Sequence, residues 1–416
     1  MADPARGSRV VTDADSAAQQ ELEQNPAGPE AAAPQARIPP PQSKSLWRRI
    51  VQVSAVPIAA VLLAFGVGSV FILGSSLLTG REFDPLLPWI AYSSLMFGAF
   101  GGLNPIVDTM VAAAPLILCG LAVGLGFKAG LFNIGAQGQF LMGALGAAYV
   151  GASVAELPTP IAMTAAVLAG AAVGAAYGFI PGMLKAFTGA HEVVTTIMLN
   201  FIAAAIIAYL VAGPLGADGF AFARTGQIGN AALVDIPGTR NLHIGVLLAL
   251  LAVPIVWWIL ERTTFGFELR TVGANPSAAR YAGMRPAVVT MTTMAACGLL
   301  AGLAGVVEIL GVTGFINTSY GTSVGFDSIS VALLGRAHPV GILFSAILFG
   351  AMRAGAPEMQ LDAGIPVEII DVLQGIILLF LAADILVRRL FRLRVAGTGV
   401  DELQTVSRSY GEQAPR

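Results

Sequence analysis

Asn133, Gln137 and Gln139 lie in the stretch Phe132-Asn-Ile-Gly-Ala-Gln-Gly-Gln139, a polar, glycine-rich break in an apolar run from Met110 to Val150. Amides accept and donate hydrogen bonds without fixing a charge, and Gly135 and Gly138 let a backbone approach closely. Such groups hold a neutral polar solute, or they pin one helix to another. Glu192, Thr196 and Asn200 follow at i, i+4 and i+8, so they share one helical stripe. In a membrane helix that stripe is expected to face the bundle interior or a cavity. Glu192 also suits the first turn, where the helix dipole favours an acid. A third group, Gly325-Phe326-Asp327-Ser328-Ile-Ser330, opens a short apolar piece, with Asp327 or Ser328 suited to an N-cap. A half-helix starting at membrane depth offers free N–H groups to a solute. A re-entrant segment that only packs is an equal alternative.

The chain lacks the residues for bond-making chemistry. There is no G-x-x-x-x-G-K-[ST] loop to cradle ATP. There is no H-E-x-x-H, and His191, His243 and His338 stand too far apart in sequence to define a metal site. There is no Gly-x-Ser-x-Gly. We therefore expect no catalytic residue, no metal and no cofactor on this chain, and nothing points to nucleic acid.

The elements that must position these groups are membrane helices. The 416 residues are 56% hydrophobic and 12% charged, against about 25% charged in soluble domains. Mean hydropathy is +0.76. In lipid every backbone polar group must be bonded internally, so a polytopic all-α protein is expected. The 49 glycines suit close helix packing. Cys119 and Cys297 fall in apolar segments and read as small packing residues. A span needs about 20 apolar residues. That rule predicts ten helices, at 50–77, 107–128, 134–154, 159–184, 193–213, 243–260, 288–310, 325–335, 339–355 and 366–387.

Residues 1–45 are rich in Ala, Pro, Gln, Glu and Asp and cannot bury a core, so a disordered tail is expected there. The transmembrane domain is set at 46–395, with a second polar tail at 396–416. Arginines and lysines cluster before the first helix, after the fourth, between the sixth and seventh, and after the tenth. The positive-inside bias then puts both termini in the cytoplasm, with 79–106, 213–242 and 356–365 on the opposite side. Thr159-Pro160, an apolar span and Glu192 are echoed by His338-Pro339, an apolar span and Glu368. Helices 2–5 and 7–10 are thus expected to form an inverted repeat. Pairs such as Gly170/Gly174 and Gly298/Gly302 are expected at close helix contacts.

The loop 261–287 encodes one more element. Asn275 suits an N-cap, Pro276 the first helical position and Gly283 the stop. So short a helix is marginal alone in water. Arg280 and Tyr281 are therefore expected to dock on a partner, or on the chain's own inner loops.

Four stretches together resemble one family: Ala114 through Gln139, Glu192-Val-Val-Thr-Thr-Ile-Met-Leu-Asn200, Val272 through Gly283 and Gly325 through Arg336. The chain is similar to the permease subunits of bacterial ABC importers of the branched-chain amino acid/ribose/nucleoside class, especially the longer nucleoside permease. The resemblance implies a second related permease, identical or different, an ATPase carrying ATP and Mg, and an extracytoplasmic substrate-binding protein, all at the bacterial plasma membrane. It implies that Asn275, Pro276, Arg280, Tyr281 and Gly283 meet the ATPase. It puts the polar break with Asn133, Gln137 and Gln139 on the path of a small polar solute, and the residue patterns add Glu192, Thr196, Asn200, Phe326 and Asp327 to that expected path. Relatives usually carry Glu where this chain has Gln137, so no role there can require a carboxylate. Importers of simple sugars or branched-chain amino acids are alternatives. So is an ion-coupled transporter using Glu192, Glu308, Asp327, Glu368 and Asp371.

Overall fold

Apolar runs fold into helices here because lipid leaves the backbone no other bonding partner. The computed structural model describes residues 46–78, 83–320, 322–383 and 387. The tails assigned to 1–45 and 396–416 lie outside the described residues. The chain divides into two units, Met1–Ile50 and Val51–Arg416, and the candidate sites lie in the second.

The helices are α1 Leu46–Leu78, α2 Leu87–Phe100, α3 Leu103–Lys128, α4 Ala136–Ser153, α5 Thr159–Thr188, α6 Glu192–Ala212, α7 Ile244–Arg262, α8 Thr264–Ala274, α9 Pro276–Tyr281, α10 Pro286–Glu308, α11 Val324–Leu334, α12 Pro339–Ala363 and α13 Ile369–Ala382. Helix α10 continues into a π-helical turn, Ile309–Thr313. Among the described residues no named strand occurs, as expected of an all-α membrane protein. Seven helical segments are long and apolar enough to cross a bilayer. The expected spans at 134–154, 325–335 and 366–387 are not among them. Helices α11 and α13 are shorter, and the polar start of α4 lowers its hydropathy.

Two helices went unread in the sequence. Helix α2 falls inside the expected loop 79–106. Its 14 residues are too few for the span rule, yet it buries Ala91, Leu95 and Ala99 and packs along α12. The approach is backbone to backbone, since a Cβ on Gly355 would sit 2.1 Å from the Leu95 carbonyl oxygen. Helix α8 occupies part of the loop 261–287, capped by Thr263, whose Oγ1 accepts from the Gly266 N–H at 3.1 Å. Helix α12 also runs past its expected end at 355. Arg353, Glu358 and Asp362 interrupt the hydropathy there but not the helix.

The two halves pack reciprocally, as a two-fold relation between them requires. Helix α3 of the first half packs on α12 and α11 of the second, and α10 of the second packs on α5 and α4 of the first. Helices α5 and α12, third in each half, both start with Pro at the first turn and end on a left-handed glycine, Gly189 (φ 69°) and Gly364 (φ 62°). The second helices, α4 and α11, meet at their N-terminal turns. Gln137 and Gly325, each at the second position of its helix, touch so closely that a Cβ on Gly325 would lie 2.3 Å from Gln137 Cα. The paired glycines close the α5–α10 seam, where Gly170 and Gly174 lie against Gly298 and Gly302.

Candidate functional site

The polar break is a knot of amides at the start of α4. Asn133 and Gln139 pair reciprocally, Nδ2 donating to Oε1 at 3.0 Å and Nε2 to Oδ1 at 3.2 Å. Asn133 Oδ1 also accepts from the Gly135 N–H at 3.0 Å, which closes the turn into the helix. Asn200 of α6 accepts from the Gly138 N–H at 2.8 Å and donates to the Ile134 carbonyl at 3.1 Å. Gln137 donates to the Thr322 carbonyl at 2.6 Å and accepts from the Gly325 N–H at 2.8 Å, joining α4 to α11. All four amides are buried and bonded to protein.

The stripe on α6 faces this knot. Thr196 and Asn200 abut Gly135 and Gly138. Glu192 is ion-paired with Lys185 at 2.5 Å across the Gly189 turn. Thus Asn133, Gln137, Gln139, Thr196 and Asn200 come together around the start of α4, Thr196 by packing on Gly135 and the amides by hydrogen bonds, with Glu192 at the stripe's end. Replacing Asn200 by leucine should strand the Gly138 N–H and the Ile134 carbonyl, at about 1–3 kcal/mol per buried group. The measurement is thermal unfolding of the purified chain in detergent, and an unchanged midpoint would reject the clamp.

A second polar cluster adjoins the first at the start of α11. Asp327 of α11 is ion-paired with Arg353 of α12. The Ser323 hydroxyl donates to Asp327 at 2.8 Å and accepts from Arg353 at 2.9 Å. Neighbouring Phe326 is exposed. Arg353 also lines a cleft of about 470 Å³ whose wall includes Asp108, Asp235, Asn241, Glu308, Gly311 and Val324. The cleft lies between the N-terminal half of α3, the loop before α7, the π-helical turn and α12. That loop is held to the turn by the Leu233 N–H, which bonds to the Leu310 carbonyl at 2.8 Å. Charged side chains inside membrane bundles mark solute pathways by default, and π-turns recur at functional sites.

His243 is wholly buried behind this wall, with neither ring nitrogen hydrogen-bonded. Burial lowers its pKa, against the smaller opposing effect of Asp235. A Cβ on Gly311 would lie 2.5 Å from its ring, so the π-turn needs glycine there.

Of the expected path residues, Asp327 comes within one ion pair of the cleft, and none lines it. Asp108, Asp235, Asn241 and Arg353 were missed. Arg353 carried a readable signal, as a charge inside an apolar helix. Asp235 and Asn241 sit in a loop, and only tertiary folding brings them to α3 and α10. Of the five carboxylates offered for ion coupling, Glu192 and Asp327 are paired, Glu368 and Asp371 are exposed, and Glu308 faces the cleft. No group of three acidic, His or Cys side chains suited to a metal occurs among the described residues.

The loop 261–287 carries the expected short helix, α9. Asn275 caps it, its Oδ1 accepting from the Ala278 N–H at 3.0 Å. Gly283 ends it in the left-handed region at φ 85°. Ala279 is buried, whereas Pro276 and Arg280 are exposed and Tyr281 is 95% exposed.

A family model described as the permease component of branched-chain amino acid transport systems matches residues 105–382. The chain is 39% identical over 342 residues to the guanosine ABC transporter permease protein NupP of Bacillus subtilis (strain 168), covering 80% of this chain and 94% of the relative. It is 35% identical to the nucleoside ABC transporter permease protein NupB of Lactococcus lactis subsp. cremoris (strain MG1363), covering 80% and 91%. It is 32% identical to the glucose ABC transporter permease protein TsgB13 of Haloferax volcanii, covering 82% and 90%. No solved structure matches it. Seven bilayer-length helices, a polar cleft among them and a match over most of the membrane region agree, and the chain belongs to this family of multi-pass membrane permeases.

Proposed function

We propose that this chain is a membrane-spanning subunit of an ATP-driven importer of nucleosides. The observation that carries the solute class is 39% identity along 94% of a guanosine permease. The partners in this reading are an ATPase dimer, a second related permease and an extracytoplasmic substrate-binding protein. The assembly sits in the plasma membrane with both termini of this chain in the cytoplasm. In that orientation the Asp108–Asp235 side of the cleft opens away from the cytoplasm, toward the binding protein.

ATP binding closes the ATPase dimer, and exposed α9 transmits the motion. Helices α4–α6 with α10 then rock against α11–α13 with α3, about the contact of α4 with α11, because α10 is packed on α5 and α3 on α12. Nucleotide shifts a population between two packings, and no chemistry falls to this chain. The amide knot serves as part of the frame along the path.

The test is uptake of labelled guanosine by cells expressing the chain with its neighbouring subunits, against cells lacking it. A second reading, glucose, has its own support in the 32% identity to TsgB13. Uptake of glucose with none of guanosine would replace the first reading by the second. The coupling assignment has a separate test. Arg280→Glu combined with Tyr281→Ala should leave insertion intact, keep ATP hydrolysis by the assembly and reduce uptake at least about tenfold. Uptake at the wild-type rate would reject it.

A further inference from the structure

We infer that the cleft between α3, the Asp235–Asn241 loop, the π-helical turn and α12 is a binding site for the ribose of a nucleoside. Its carboxylates accept from the sugar hydroxyls and repel phosphorylated solutes. This rests on the nucleoside reading above and deepens it.

Size comes first. A cleft of about 470 Å³ falls within the roughly 300–1,000 Å³ of small-molecule sites. Chemistry comes second. Asp108, Asp235 and Glu308 line it, and an ionised carboxylate only accepts hydrogen bonds, with about four lone-pair sites. The matching solute therefore brings several donors. Hydroxyl groups suit, because an O–H bond to a carboxylate is about twice as strong as a neutral one.

Third, the acceptors are spread out. They form no metal-binding group among the described residues. A bound ion would need them to converge, whereas a furanose ring presents hydroxyls several ångströms apart. Fourth, Glu308 opens on the cleft at the start of the π-turn with no hydrogen bond or ion pair to its carboxylate among the described residues. Glu308 is half-buried and lies in the field of Arg353, and the acceptor capacity its carboxylate has left over suits a donor from a ligand.

The same lining explains what is kept out. Arg353 is ion-paired with Asp327 and bonded to Ser323, and it shares the lining with the three carboxylates Asp108, Asp235 and Glu308, so the wall is net negative. A nucleotide would place its phosphate among Asp108, Asp235 and Glu308, and such like-charge contact is a direct source of specificity.

The experiment compares guanosine, 2′-deoxyguanosine, 2′,3′-dideoxyguanosine and glucose as labelled solutes in the uptake assay. Thermal stabilisation of the purified full-length chain by guanosine and by guanosine 5′-monophosphate is measured beside it. The wild type should take up guanosine at least about tenfold faster than the dideoxy compound, since a site built to bond a hydroxyl rejects the analogue lacking it. It should be stabilised by guanosine and not by the monophosphate.

Glu308→Gln and Asp235→Asn together should bring the guanosine-to-dideoxyguanosine ratio near one at normal membrane abundance. Asp108→Asn, at the exposed mouth, provides a variant with little risk to folding and should allow the monophosphate to bind. If guanosine is imported but all variants keep the wild-type ratio and the wild-type rejection of the monophosphate, the site assignment is wrong and the nucleoside reading stands. If no nucleoside is imported, both fall.

Discussion

Gly325→Ala should destabilise the membrane domain by at least about 3 kcal/mol, the upper part of the usual range for overpacking. The new methyl group would lie 2.3 Å from Gln137 Cα and 2.4 Å from Gln137 N. Both are backbone atoms, so no change of rotamer relieves the clash. Helices α4 and α11 would have to separate where the two halves of the fold meet. Separation also breaks the bond from the Gly325 N–H to Gln137 Oε1. Gly375→Ala in α13 is the control, because a Cβ there meets nothing within 4 Å and alanine favours a helix by about 1 kcal/mol. Thermal unfolding in detergent, followed by size-exclusion chromatography, compares the two. Equal midpoints would show that the α4–α11 contact does not hold the halves together.

The second large effect is expected at Arg353. Alanine there strands Asp327 in a partly buried site, and removing one partner of a buried pair costs about 3–5 kcal/mol. Because both side chains keep some exposure, the lower end of that range is expected. The double variant Asp327→Ala with Arg353→Ala should cost less than the sum of the two single changes, with a coupling of about 1–3 kcal/mol. Additive losses would mean that the ion pair contributes little and that Arg353 acts through the cleft alone. The pair also fixes the start of α11 against the wall of the cleft.

The candidate site was only half legible in the sequence. The break at Asn133–Gln139 and the stripe Glu192–Asn200 could be read because polar groups in apolar runs are conspicuous. What they do was not readable. An amide that binds a solute and an amide that binds another amide look alike until the partner's position is known. Here the partners are Gln139 for Asn133, the α4 backbone for Asn200 and the Gly325 N–H for Gln137. The charged cleft was harder still. Asp108, Asp235, Glu308 and Arg353 are separated by as much as 245 positions, 108 to 353, and belong to three helices and a loop.

Composition and hydropathy alone determined that this is a polytopic helical membrane protein. Lipid permits a chain of this apolarity no other common solution once its spans are helical. Local signals alone also determined the short helix at Pro276–Tyr281, because a cap, a first-turn proline and a left-handed glycine act within a few residues. Helix α2 escaped the same reading, since 14 residues fail a rule built on bilayer thickness and only its contact with α12 accounts for it. Tertiary structure alone decided which polar groups are spent on one another and which face a cleft. That outcome depends on approaches between distant backbones, such as Gly325 on Gln137 and Gly355 on Leu95. Hydropathy measures each segment against lipid and carries no information about which segment lies beside it.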